Sequence, residues 1–507
     1  MRGLGRFQHY ASLAAALVCF VVFVLAAAEL HQDRVDHFAV EEADPIPAAL
    51  SHVLYGAPIG LVDTGLLQYF MTTHGQSAAA AVDEAARNAV PTHDWRVPAD
   101  GSGIGPPLSA TLAFMLFGPH ARSILWQFLA LLGISTLSYV MRFRHERLWV
   151  APVYLGGLTL WLLTMGGGGP LSINQAPLGG MRSYILIAIL PVVHWCFELV
   201  AAEAASWREA LTRGVLLAPQ VAIFGFTIVV RYSPIAFVPA VIMSALLAVR
   251  YGTAKRAGLL SLLPLAALLA CVYGLFPLSF PEQAQSGRLQ SVVWHRAVVS
   301  LSINPAWPFP GLQDRYKCPL IPGALAHRGK DSIGHCVWFA APMNQSLPVA
   351  EVAAGLYGAD YERTMRDAFF DIAAHYPFET LATFLYYKPY WMIDQTLKAL
   401  APWPKAPTPV AVLAAIEMLL LVGFLAIAPP PERGVKLRAA KMIAAAIVLC
   451  ALIPHLEAWT NPPTGQELTA GVICGAIVAL WVGCRAALQR FAGPTSFDTR
   501  PASDAGI

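Results

Sequence analysis

Charge is scarce in this chain: Asp, Glu, Lys and Arg make up 13% of its 507 residues, about half the share of roughly 25% found in soluble domains. What charge there is nearly cancels, leaving a formal net of +3. That excess is spread over short loops and offers no basic face for nucleic acid. Metal-ligand spacing is missing too. Neither CxxC nor HExxH occurs, which argues against a structural zinc site. A dinucleotide fingerprint is also lacking. Gly101-Ser-Gly103-Ile-Gly105 alternates glycines, but such a fingerprint needs a strand before it and a helix opening at its third glycine. Here acidic, Ala-rich sequence precedes the glycines and Pro106-Pro107 follows, so no nucleotide-binding helix is expected. Cysteine is thin, at 8 residues. Cys19, Cys196, Cys271, Cys450, Cys474 and Cys484 fall in or beside apolar runs, where a free thiol acts as a small apolar side chain.

Hydrophobic residues are abundant, at 56%. They gather into about ten runs of the length that crosses roughly 30 Å of hydrocarbon: 11–28, 121–141, 148–165, 184–202, 214–230, 234–249, 257–276, 410–428, 440–456 and 468–486. The first could be taken for a cleaved signal peptide, since Ala26-Ala27-Ala28 resembles a cleavage site. The spans that follow and the loop charges favour a retained helix. Cytoplasmic loops carry the excess Lys and Arg. With the N-terminus inside, the inside loops hold Arg2 and Arg6, then Arg142, Arg144 and Arg147, then Arg208 and Arg213. Arg250, Lys255 and Arg256 follow, then Arg433, Lys436, Arg438 and Lys441, and finally Arg485 and Arg490. The short outside turns hold only Arg122, Arg182 and Arg231. The expected fold is therefore an all-α polytopic membrane bundle with both termini cytoplasmic.

Two long outside segments interrupt the spans and are expected to cap the bundle. The chain divides into a bundle over 1–276 with a long first loop at 29–106, a cap over 277–405, and C-terminal spans with a cytoplasmic tail over 406–507. The cap is rich in Trp, Tyr and Phe, as a packed domain is and a disordered linker is not. It also holds Cys318 and Cys336, which the oxidising periplasm would join as a disulfide.

Several residues stand out chemically. The Gly101–Gly103 loop lies outside and leads into the apolar stretch 107–118, too short to span and so interfacial or re-entrant. Its glycines would let backbone N–H groups approach an anion, and the anion available at an outer membrane surface is a lipid phosphate. Arg231, in "VVRYSP", is a cation in a tight outside turn; it binds such a phosphate or snorkels to headgroups. Arg182 is a second cation on that side, and Lys388 in "FLYYKPYW" could reach the phosphate from the cap. His295, beside Trp294, and Asp314 are weaker cap positions. Glu198 and Glu417 fall within spans, where ionisable side chains default to function.

The first outside loop opens "ELHQDRVDHFAVEEADPIP". A basic N-terminus, one span, an acidic outside loop, a bundle and a late aromatic outside domain together resemble the GT-C superfamily of glycosyltransferases, of which the lipid-phosphate-mannose-dependent protein mannosyltransferases are the best known. The late stretches "SVVWHRAVVSLSINPAW" and "YERTMRDAFFDIAAHYPFETLATFLYYKPYW" look like those of bacterial membrane proteins with this layout. The resemblance implies sugar transfer from a polyprenyl-phosphate donor to a periplasmic lipid or polysaccharide acceptor, at the bacterial inner membrane. It places the general base among Asp33, Glu41, Glu42 and Asp44. No paired acid directly follows the first span, so the choice among the four stays open. Stabilising the departing phosphate calls for Arg, Lys or a divalent metal such as Mg or Mn. Two rivals share part of the layout: an O-antigen polymerase or ligase working on undecaprenyl diphosphate, and a transporter or flippase. No internal repeat or matched pair of broken helices supports the last.

Overall fold

A computed structural model describes residues 2–32, 45–73, 78–96, 104–143, 148–166, 183–200, 206–231, 233–250, 293–307, 332–356, 358–388, 390 and 473. These residues are mostly helical. A long N-terminal helix, α1 (Arg2–Gln32), joins α6 (Ser123–Phe143), α7 (Val150–Gly166), α8 (Tyr184–Val200), α9 (Trp207–Val230) and α10 (Val238–Arg250) in one apolar bundle. Phe23, Phe128, Tyr154, Trp195 and Phe224 fill its core. Contacts at the helix ends give the directions. Gln127 near the start of α6 meets Tyr184 at the start of α8, and Arg142 near the end of α6 pairs with Glu198 near the end of α8. Those two helices therefore run parallel. The end of α9 lies by α5 (Gly105–Phe117), whose Ser109 bonds Gln127, so α9 is antiparallel to α6.

Two of these helices, Ser123–Phe143 and Trp207–Val230, are long and apolar enough to cross a membrane, and Leu13–Ala28 and Tyr184–Leu199 are apolar but shorter. The expected runs at 257–276, 410–428 and 440–456 lie outside the described residues, as does Glu417. Of 468–486 only Ile473 is described, buried so close to α7 that a Cβ on Gly157 would lie 2.7 Å from it. Helix α9 begins at Trp207 rather than at 214. Ser206 accepts a hydrogen bond from the Glu209 N–H at 3.2 Å, and a Ser followed by Glu three residues on is a capping box that pulls the helix start forward.

The described parts of the segment between α1 and α5 are folded. It contains α2 (Pro45–Tyr55), β1 (Val62–Asp63), α3 (Thr64–Thr73), α4 (Ala78–Asn88) and β2 (Trp95–Arg96), and the two short strands pair antiparallel. Ile46, Leu50, Phe70 and Val82 share a core with Ala110 and Phe114 of α5 and Ile124 of α6. The unit thus sits on the α5 end of the bundle. One sequence expectation is corrected here. A helix does open at the third glycine, because Pro106 and Pro107 fall in the first turn of α5, where a missing N–H costs nothing and the fixed φ suits a helix. Its preceding strand is half of a two-stranded pair, so the arrangement is still not a dinucleotide fold.

The cap is helical as well: α11 (Val293–Ser300), α12 (Ser332–Ala340), α13 (Val349–Ala354), α14 (Ala359–His375) and α15 (Pro377–Ala382), the last running into a π-helical turn at Thr383–Tyr387. Val298, Trp338, Tyr361 and Met365 form its main core, and the Trp338 indole donates to the Val352 carbonyl at 2.8 Å.

Candidate functional site at the α5 end of the bundle

The α5 end of the bundle brings several sequence-selected features together. Gly105 begins α5 against the last turn of α9. A Cβ there would lie 1.8 Å from the Val229 carbonyl oxygen, so only glycine allows the two backbones to approach this closely. Arg231 ends α9 one residue beyond Val230: its backbone is extended and its N–H donates to the Thr227 carbonyl at 3.0 Å. Its side chain is half-buried. Beneath α5 lies a buried polar knot. The Ser109 hydroxyl donates to Gln127 Oε1 at 3.1 Å, the Tyr184 hydroxyl donates to the same oxygen at 3.0 Å, and the two hydroxyls meet at 2.9 Å. The knot ties α5, α6 and α8 together, so the start of α5 and the Arg231 corner form one fixed surface.

The first-loop unit adds a carboxylate that sequence patterns did not single out. Asp63 is fully buried. Its Oδ1 accepts from the Gly65 N–H at 2.7 Å and from the Thr92 hydroxyl; its Oδ2 accepts from the N–H groups of Thr92 at 2.8 Å and His93 at 3.2 Å. Burial alone would raise its pKa, but the Thr92 hydroxyl and the three N–H donors outweigh that and hold it below the ordinary carboxylate range. With its lone pairs occupied and its basicity lowered, Asp63 is a clamp and not a base. It holds His93 at a φ of +59°, a left-handed conformation few non-glycine residues adopt. The local signal is the Asp before Thr-Gly in "LVDTG", the pattern of a carboxylate bonding its own turn. Its far partner Thr92 leaves no local trace. Burial, and then the nearby Asp63 charge, raise the Tyr55 phenol, whose hydroxyl donates to the Ala89 carbonyl at 2.6 Å.

The other selected residues are distributed as follows. Asp33, Glu41, Glu42, Asp44, Gly101, Gly103, Arg182, Asp314 and Cys318 lie outside the described residues. The segment holding the four acidic candidates leaves α1 after Gln32 and re-enters at Pro45, the first residue of α2, which packs on α5. His295 is buried in the cap, where its Nδ1 shares a 2.6 Å hydrogen bond with the Tyr361 hydroxyl and its ring stacks on His335. A Cβ on Gly334 would lie 2.4 Å from His295 Nδ1, so α12 passes directly over the ring. Glu362 caps the start of α11, accepting the N–H groups of Trp294 at 2.8 Å and His295 at 2.9 Å. Burial raises the Glu362 pKa, and those two N–H donors only partly offset it. Lys388 is buried too, with its ammonium 5.1 Å from the centre of the Phe384 ring. Cys336 is disulfide-bonded.

Glu198 is not a lone charge. It pairs with Arg142 at the opposite end of the bundle, and His194 Nε2 lies 3.8 Å from its carboxylate. Gln220 donates to the Ser135 carbonyl at 2.8 Å and shares a 3.1 Å contact with His194 Nδ1, linking α6, α8 and α9. A divalent metal, implied by the resemblance, finds no ligand set among the described residues. No group of three or more His, Cys, Asp or Glu among the described residues could hold one, and the Asp63 oxygens are occupied by N–H and O–H donors. No protein-family model, curated protein or solved structure matches this chain.

Proposed function

We propose that this chain is a membrane glycosyltransferase of the GT-C type, crossing the bacterial inner membrane ten times with both termini cytoplasmic. In this proposal it moves a sugar from a polyprenyl phosphate to an envelope glycolipid or polysaccharide on the outer side. Membrane residence is supported by what the helices expose. Only 39% of the apolar window of α9 and 56% of that of α6 is buried, whereas the core helix of a soluble protein hides nearly all of its apolar surface. Leu17, Leu25, Leu137, Leu211 and Leu246 stand exposed on α1, α6, α9 and α10, a surface suited to lipid. Charge supports the sidedness: Arg142, Glu198, Glu209 and Arg213 cluster at one end of the bundle.

The observation that carries the functional proposal is the meeting of α5 and Arg231 at the other end, with the acidic 33–44 segment leading into α2, which packs on α5. A cation and a supply of carboxylates then share one side of the membrane. The acceptor hydroxyl attacks the anomeric carbon, the carbon–oxygen bond to phosphate breaks, and the phosphate leaves with the electron pair. A carboxylate among Asp33, Glu41, Glu42 and Asp44 takes the hydroxyl proton. Arg231, with Arg182, stabilises charge on the departing phosphate.

Steady-state kinetics in proteoliposomes supplied with a panel of polyprenyl-phosphate sugars test this. Asp33→Asn should lower kcat by about 10²- to 10⁴-fold while donor binding persists. Arg231→Ala should weaken donor affinity about 10- to 100-fold, the loss of one charge-assisted hydrogen bond of about 1.5–3 kcal/mol. Full activity in Asp33→Asn moves the base to Glu41, Glu42 or Asp44. If no variant of these five residues alters turnover of any monophosphate donor, the proposal is wrong, and turnover of a diphosphate donor would put the polymerase or ligase class in its place.

A further inference from the structure

The end of the cap has its polarity inside out. Over residues 377–388 two polar side chains point inward, Thr383 at 0% exposed and Lys388 at 1%, while Glu379 and Thr380 are half-buried. Thr383 Oγ1 donates to the Glu379 carbonyl at 2.7 Å and accepts from Asn304 Nδ2 at 3.1 Å, so its burial is fully compensated. The apolar side chains point the other way. Phe378 is 83% exposed, Leu385 69%, and Leu381, Tyr386 and Tyr390 more than half. Phe378, Leu381 and Leu385 fall at i, i+3 and i+7, on one face of the helix. Tyr386 and Tyr390 stack beside them with rings 6.4 Å apart. In water this arrangement leaves unused the stabilisation that burying each large apolar side chain would bring.

We infer that the 377–390 face docks on the outer leaflet of the membrane that holds the bundle, with the aliphatic side chains among the upper acyl carbons and the tyrosines at headgroup level. The inference rests on the membrane residence proposed above. Three observations favour lipid over a protein partner. The face combines Leu and Phe with Tyr, the composition of interfacial belts, where an aromatic ring sits at the boundary and its hydroxyl stays wet. It presents little side-chain charge, since Lys388 is turned into the cap and Glu379, the other charged residue of the segment, is half-buried. In the ten-span proposal the apolar run 410–428 is a span, so the sequence after Tyr390 leads back towards the membrane.

Photolabelling of the full-length protein tests this. The protein is reconstituted in phosphatidylethanolamine/phosphatidylglycerol nanodiscs containing a trace of phosphatidylethanolamine with an acyl-chain diazirine, irradiated, and its adducts are mapped by mass spectrometry. Residues 377–390 should be labelled several-fold above the exposed polar face of α14 at Arg363, Arg366 and Asp367, and α6 should be labelled as well. The double variant Leu381→Asn/Leu385→Asn removes only exposed side chains, so it should keep the cap folded and lose most of that labelling while α6 keeps its own. Labelling of 377–390 no higher than that of α14, or unchanged in the variant, with α6 labelled, overturns the docking and leaves membrane residence standing. Absence of label from α6 overturns both.

Discussion

At the scale of single residues, Asp63 shows how burial and hydrogen bonding compete for one carboxyl. Burial would protonate it, and four donors keep it charged. A group with a depressed folded pKa stabilises the fold above its unfolded value of about 3.9 and loses that contribution as pH falls through the folded pKa. Asp63→Asn replaces an acceptor oxygen with an N–H₂ facing existing N–H donors. It should lower stability by about 1.5–3 kcal/mol near neutral pH. In thermal melts the gap between wild type and variant should narrow below about pH 4; a gap independent of pH would mean the carboxylate is not the stabilising species. Neither the clamp nor the packing at Gly105 could be read in full from local sequence. "LVDTG" and the alternating glycines mark a turn and a close approach, but Thr92 and Val229, which give them their roles, are distant in the chain.

Elements were more legible than their partners. Apolar length located α6 and α8 to within a few residues, and the Ser206–Glu209 box could have set the start of α9 at Trp207. The first loop was expected to cap the bundle, but its helices were not placed, because their apolar residues find their partners only on α5 and α6. Glu198 raised a functional question when viewed alone, and its pairing with Arg142 supplies a structural answer. Breaking a part-buried pair strands a charge, so Arg142→Met should destabilise the bundle by about 1.5–3 kcal/mol. Removing both charges in Arg142→Met/Glu198→Leu should recover most of that loss, and SDS-unfolding curves of the single and double variants would reveal it. Equal loss in both would show that the residues act independently. In the cap, Cys336 is bonded, and Cys318 is its expected partner. Cys318→Ser should abolish the mobility shift on reduction and lower cap stability by about 3 kcal/mol, as loss of a loop of roughly 15 residues predicts. A shift that survives the variant would assign another partner.

At the scale of the whole molecule, the proposed sidedness rests on loop charge. Arg142 and Arg213 lie at the same end of the bundle, while Arg231 lies at the end covered by the first-loop unit. Segregation of this kind comes from insertion energetics acting on every loop, so it leaves a record along the entire sequence. Catalytic geometry leaves no such record, since it needs only a few side chains brought together from distant segments. The functional account stands or falls on sidedness: the acidic segment, α5, Arg231 and the cap must share the outer face of the membrane. Cysteine accessibility in intact cells measures this most directly, using single probes at 60, 350 and 435 in a background without the native thiols. The account predicts that a membrane-impermeant maleimide labels 60 and 350 at once and 435 only after permeabilisation; labelling of 435 in intact cells, or protection of 60, would contradict it.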